Sequence, residues 1–402
     1  MLCMLANLVM YVVFLLMVYK KQGGMSLNAW LILFIAFIAL FGFCIYDTEY
    51  YNWGYYNWCL DHTRNKMSFS PLLFLFCGFL LYYVSFAHVN TNEISRIGTI
   101  HPWAENILYY GNVLFLVLFL FTFRNAVGHT ASYADAYSSG FNGERYGMFG
   151  KYAFSLGTPL ILIQVILPFY LFIKNTKKNY VKGGILLLLT MGMFYMKGAL
   201  LGSRGVLFFG VVYMVYMYLF LKGYMTKKAN KVIAIVGLSM LGLFLSLAIA
   251  ISFDRFGEKM FYSIASYFGE SFINFALIYW NYPKFLGGDL LLMQFLGLPA
   301  PYIPVWVGYF RPMAGAVYID FGVWGALLFF FIYAVLWKKI LGHPRKSMTM
   351  SQMYVYVFLF QGFIYGAFSF EVYNIKSYIV MFVVYLFLRL AKNKRVCEKN
   401  VV

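Results

Sequence analysis

Apolar residues in this chain come in long unbroken blocks, separated by short polar stretches rather than spaced at amphipathic intervals. A helix needs roughly 20 apolar residues to cross about 30 Å of hydrocarbon. Read on that scale, spans fall near 2–19, 26–46, 69–89, 105–123, 153–173, 183–202, 205–221, 232–252, 314–337, 350–370 and 375–391. Barrel strands would instead be about ten residues of alternating polarity, and that alternation is absent from the sequence. The pattern predicts an all-α polytopic membrane protein of about 11 transmembrane helices, within a range of about 10–12. No internal repeat is visible, and no segment is long enough for a separate soluble domain. Residues 1–402 are therefore expected to form one integral membrane domain, with a long outer loop at 253–313 inserted between spans.

Composition agrees with that picture. Hydrophobic residues make up 62% of the chain and charged residues 11%, against about 25% charged in soluble domains. A net charge of +18 would suggest nucleic acid, but the cations sit in short loops between the spans: Lys20–Lys21, Lys174/Lys177/Lys178/Lys182, Lys222/Lys227/Lys228/Lys231, Lys338/Lys339/Arg345/Lys346 and Lys392/Lys394/Arg395/Lys399. Clusters of this kind mark cytoplasmic loops, so the excess is topological and implies no nucleic-acid partner. The N-terminus is then outside and the C-terminus inside. Residues 90–104, with Arg96 and His101, become a cytoplasmic loop poor in positive charge. The first apolar stretch follows no charged region or cleavage site and reads as a retained span. The five cysteines show no metal or redox spacing and read as small buried hydrophobes.

This topology sends most carboxylates outward, among them Asp47, Glu49, Asp61, Asp135, Glu144, Asp254, Glu258, Glu270 and Asp289. It also isolates "MKGALLGSRGVLFF" at 196–209. Between Lys182 and Lys222, both cytoplasmic, Lys197 and Arg204 are the charged residues. The stretch would be roughly 60 Å as straight helix, twice the membrane. The chain must reverse near residue 202, where Gly202-Ser203-Arg204-Gly205 supplies turn residues. Arg204 is expected at the outer tip of that hairpin. Lys197, seven residues earlier, is expected deeper on the same helix face, its amine snorkelling outward. Two cations so placed suit a phosphate or pyrophosphate, which a guanidinium binds bidentately. The alternative is a snorkelling lysine and an arginine bound to lipid headgroups.

The loop at 253–313 opens with "SFDRFGEKM", placing Asp254, Arg255, Glu258 and Lys259 at the exit of a span. It continues through Glu270 and Asn274 to Arg311, with Asp320 just inside the next span. Loops of this length are functional or disordered, and this one is too apolar for disorder. It is expected to carry short re-entrant or interfacial helices. "YYNWGYYNW" at 50–58 offers aromatic platforms of the kind sugar sites use, or belongs to the interfacial aromatic belt. HExxH, GxxxxGK[ST] and GxSxG are absent from the sequence. The reading is a chemistry that needs no metal or nucleotide cofactor and takes an already activated substrate at the outer face.

Three features together resemble a known family: "GSRG" at an outer hairpin, "FDRFGE" opening a long outer loop, and "GYFRPMAGAVYIDFGVWGALLF" closing it. They resemble bacterial oligosaccharide repeat-unit polymerases, the Wzy-type O-antigen and capsule polymerases. The resemblance implies a metal-independent glycosyltransferase of the inner membrane, working on its periplasmic face in surface-polysaccharide or lipopolysaccharide synthesis. It would move a growing glycan from undecaprenyl pyrophosphate to the non-reducing end of a new lipid-linked repeat unit. Donor, acceptor and bilayer are the implied partners, with a chain-length regulator as a candidate. Arg204, Arg255 and Arg311 would hold the anionic substrates, and Gly322 gives Arg311 the family's Arg-x10-Gly spacing, which Arg204 and Arg255 lack. With Lys197 they would stabilise charge on the departing pyrophosphate. Glu258, Glu270 and Asp254 are candidate bases, Asp320 stands behind them, and Ser203 and Asn274 are candidate substrate contacts. For each carboxylate the alternative is an interfacial salt bridge. A ligase of the same fold would be expected to carry a histidine in the loop, and 253–313 has none. A lipid-linked oligosaccharide flippase would be expected to line several spans with charge.

Overall fold

A computed structural model of the protein describes residues 1–46, 67–124, 147–201, 203–257, 260–277, 279–281, 286–296, 312–368 and 375–399. Helices overlie all eleven segments read as spans: α1 (Leu2–Lys21), α2 (Leu27–Tyr46), α3 (Phe69–Val84), α4 (Pro102–Phe123), α5 (Gly147–Ile173), α6 (Lys177–Leu200), α7 (Arg204–Leu221), α8 (Lys227–Phe256), α11 (Met313–Leu341), α12 (Met350–Tyr365) and α13 (Ile375–Leu390). Two more, α9 (Met260–Leu277) and α10 (Asp289–Leu296), lie in the region read as the long loop. Among the described residues, seven helices are long and apolar enough to cross a membrane, drawn from α1, α2, α4, α6, α7, α8 and α11. The protein is thus a multi-pass helical membrane protein. Helices α3, α12 and α13 have 16 residues each, about 24 Å of straight helix, so length alone does not carry them across. In α5, Pro159 and Pro168 interrupt the amide ladder.

Hydropathy gave no hint of a sheet. Residues 96–100 form β1, the centre of three strands: β2 (Ser347–Met348) pairs with it in parallel and β3 (Lys392–Glu398) antiparallel. Arg96 stands opposite Ser347 on one side and Glu398 on the other. All three strands come from segments that the charge pattern assigns to one side of the membrane. Backbone pairing requires them to share a side. The charge-poor segment 90–104 is thereby tied to two lysine-rich ones.

The chain divides into two compact units. The first holds α1–α3, most of α9, then α10, α11 and most of α12. Its core is aromatic: Tyr11 lies 5.6 Å from Phe272 and Phe79 lies 6.3 Å from it, centroid to centroid. Helix α9 is part of this core. Its Phe272, Ile273 and Phe275 are fully buried. A Cβ on Gly269 would stand 2.5 Å from the amide nitrogen of Gly42, so α9 and α2 cross backbone to backbone. Among the described residues of 253–313, helix covers the end of α8, α9 and α10. Helix α8 runs on to Phe256, and α9 is buried throughout 271–277, Asn274 included, with Glu270 half-buried one turn before Asn274.

The second unit holds α4–α8, the sheet and most of α13. Tyr170 of α5 accepts the amide of Ile100 through its hydroxyl at 3.0 Å, fixing β1 to the helices. Beside it, Lys174 is paired with the buried Glu105. Lys182 donates to Asn106 Oδ1 at 3.0 Å and covers the Tyr109 ring at 4.6 Å. These cations are absorbed into the packing of α4, α5 and α6.

Candidate functional site: a cationic hairpin and a broken helix

In the second unit, α6 ends at Leu200 and α7 begins at Arg204, the reversal expected from the charge pattern. The amide of Leu201 bonds to Lys197 O at 3.1 Å and that of Ser203 to Gly198 O at 2.9 Å, closing the C-terminus of α6. Two glycines make the hairpin tight. Cβ atoms at Gly198 and Gly210 would stand 2.6 Å from Leu207 Cδ2 and 2.7 Å from Phe194 Cγ. Gly202 lies outside the described residues.

The reversal corrects one expectation. Arg204 is the first residue of α7, so it shares no helix face with Lys197. Its guanidinium donates from Nη1 to Ser252 Oγ of α8 at 3.1 Å. Ser203 is the N-cap of α7, but its side chain makes no capping bond. Asp254 is exposed two residues beyond Ser252. Arg255 lies at the end of α8 with its side chain outside the described set. Thus Ser203, Arg204, Ser252 and Asp254 gather at one end of the unit, about 30 Å along α6 from Lys177.

Lys197 does not snorkel. It is 4% exposed, with its ammonium 5.2 Å from the Phe154 ring centroid and 6.0 Å from that of Phe119. Gly157 makes the room: a Cβ there would stand 2.9 Å from Lys197 Nζ. A desolvated ammonium over ring faces gains cation–π attraction, and the surrounding low dielectric strengthens its pull on any anion.

In the first unit, Asn274 is buried and donates to Glu270 Oε1 at 3.3 Å, one turn back along α9. Asp320 has a different task. Helix α11 breaks at Gly322, where φ is 67°, a conformation suited to glycine. The break frees the carbonyls of Ile319 and Asp320, and the amides of Leu286 and Gly287 take them at 3.0 and 2.9 Å. The Asp320 carboxylate then accepts the amides of Leu290 and Leu291 at 3.0 and 2.8 Å, one on each oxygen. It caps α10. In a hydrocarbon setting every freed backbone group needs such a partner, and here 286–291 and the broken helix satisfy one another. Asp320 is a positioning residue for that segment. The geometry gives no support to a role for it as a base or substrate contact.

Glu258 and Arg311, and the aromatic run at 50–58, lie outside the described residues. Sequence reasoning missed Gly157, Ser252 and the aromatic bed of Phe119 and Phe154. The faint signal for Gly157 was "GTP", a glycine and a proline inside an apolar block. Ser252 gave no signal at all.

What the fold defines is a class: a multi-pass helical membrane protein with a buried lysine and an arginine in one helical hairpin. No protein-family model, characterised protein or solved structure matches the chain.

Proposed function

We propose that the protein polymerises lipid-linked oligosaccharide repeat units at the outer face of a bacterial inner membrane. The growing glycan would leave undecaprenyl pyrophosphate and join the non-reducing end of a new lipid-linked unit. The observation that carries this reading is the α6–α7 hairpin, where the buried Lys197 and the part-buried Arg204 sit at the end of the helices opposite their lysine-rich termini. The N-terminus of α7 adds amide dipoles favourable to an anion.

In this mechanism Arg204 grips the pyrophosphate bidentately and Lys197 adds a point charge from a poorly hydrated position. Their work is to stabilise charge as the glycan's anomeric carbon breaks from the phosphate oxygen and bonds to the acceptor hydroxyl. Asp254 and Glu270, which accepts from Asn274, are carried from the sequence as the candidates to receive the acceptor's proton. Arg255, Arg311 and Glu258 complete the proposed set on the strength of the resemblance.

Deleting the gene tests the assignment. A polymerase mutant should carry single repeat units on its surface glycolipid. A ligase mutant would carry none and would accumulate lipid-linked polymer, and a flippase mutant would trap units inside the cell. Either of those outcomes overturns the reading.

A further inference from the structure

At the other end of the second unit, a groove of about 270 Å³ runs between α6 and α8. Lys177 and Lys228 line it near the helix starts, and Val181, Gly184, Leu188, Val232 and Val236 line it further along the two helices. Both lysines are exposed. Val181, Leu188 and Val232 are 58%, 50% and 47% exposed, so the protein itself leaves the groove open. The lysine end is built rather than incidental. The Tyr180 hydroxyl bonds to Asn175 Oδ1 at 3.0 Å and to Thr226 Oγ1 at 2.9 Å, tying the start of α6 to the start of α8. From the lysine tier to Leu188 and Val236 is roughly 12–16 Å of helix, about half of a hydrocarbon core.

A cationic end on an apolar trough one leaflet deep fits one kind of occupant. We propose that this groove binds an anionic diacyl phospholipid of the lysine-side leaflet, phosphate at Lys177 and Lys228 and one acyl chain along Val181, Leu188, Val232 and Val236. Charge complementarity selects the head group, and basic pockets between membrane helices on the cytoplasmic side recognise lipids in this way. The trough excludes water-soluble phosphates, which would leave its apolar walls uncovered. This site is separate in residues and chemistry from the Lys197–Arg204 hairpin.

Native mass spectrometry of the full chain in detergent, with dioleoyl phosphatidylglycerol as the probe, tests it. The wild type should retain one phosphatidylglycerol and should not retain phosphatidylcholine. The double variant Lys177→Gln/Lys228→Gln should bind about thirty-fold more weakly, two surface charges' worth. Lys178→Gln/Lys231→Gln removes the same charge from neighbours that do not line the groove, and should change retention by no more than about two-fold. Gly184→Phe leaves both lysines intact and fills the trough. A Cβ there meets nothing within 4 Å, and retention should again be lost. Equal retention of phosphatidylcholine, equal loss in the two lysine pairs, or full retention in Gly184→Phe would overturn the proposal. So would displacement of the lipid by glycerol 3-phosphate alone.

Discussion

Compare the α6–α7 hairpin with the break in α11. Both are places where a charged residue sits at an interruption in a membrane helix, and from their residue types both suggested a working site. Their surroundings differ. In the hairpin, Arg204 donates to a neutral hydroxyl and Lys197 lies over aromatic rings in a space that Gly157 leaves open. In α11, the Asp320 carboxylate spends both oxygens on the amides of α10, while the freed carbonyls are taken by Leu286 and Gly287. In the hairpin the cations meet a hydroxyl and ring faces, whereas in the break the carboxylate serves backbone. The first region should therefore respond to substitution in activity, the second in stability.

The largest effect expected is Arg204→Ala. Removing a donor to developing phosphate charge should cut chain extension at least about a hundred-fold, with the protein still present in the membrane and unfolding at the wild-type temperature. Arg204→Lys should recover little, because an ammonium cannot make the bidentate contact. A gel of the surface glycolipid reads chain length directly. A normal ladder from Arg204→Ala would erase the distinction drawn above.

Asp320→Ala should do the converse. It leaves two buried amides without acceptors, at roughly 1–3 kcal/mol each, and should lower the unfolding temperature and the yield of folded protein. Asp320→Asn retains an acceptor oxygen and should recover part of the loss. Stable Asp320→Ala protein without activity would instead return Asp320 to the working site. Gly322→Ala should follow at about 1–3 kcal/mol, the strain of a side chain at positive φ.

How far the sequence could carry this comparison is clear from the same residues. Block length and lysine position located the helices and the reversal before Arg204, because desolvating backbone and charge in hydrocarbon leaves few alternatives. The sheet escaped notice because β2 has two residues and β3 is mostly exposed, with no alternating pattern to read. Helix α9 gave a weak hydropathy signal because Glu270 and Asn274 interrupt its apolar residues, although Asn274 is buried like Phe272 and Ile273. The fate of Asp320 was not legible at all. Its partners are some thirty residues away and exist because Gly322 breaks the helix, a conformation that residue type alone does not announce.

Gly157→Ala tests the hairpin more finely. The added methyl would stand 2.9 Å from Lys197 Nζ and must push the ammonium off its position. Alanine favours the helix, so stability should hold or rise while chain extension falls about ten-fold through displaced charge. A fall in stability with unchanged chain length would make Lys197 a packing residue and leave Arg204 to carry the site alone.

The smallest effect should come from a histidine that serves backbone. His88, beyond the end of α3, bonds through Nε2 to Gly342 O at 2.6 Å, serving the C-terminus of α11 as Asp320 serves the N-terminus of α10. Burial lowers its pKa below the ordinary imidazole value, against the raising effect of the Gly342 bond, and His343 and Lys338 nearby lower it further. The unfolded chain therefore takes up the proton at higher pH than the folded one. Stability is fully present above about pH 6.5 and falls as pH drops from there toward the folded value. The group is half-buried, which limits the size of the change. Thermal unfolding between about pH 7.5 and 5.5 should show a slope that flattens in His88→Gln. Chain length at neutral pH should stay normal in that variant, because His88 serves backbone and not substrate. Loss of chain extension at neutral pH would move His88 to the other side of the comparison.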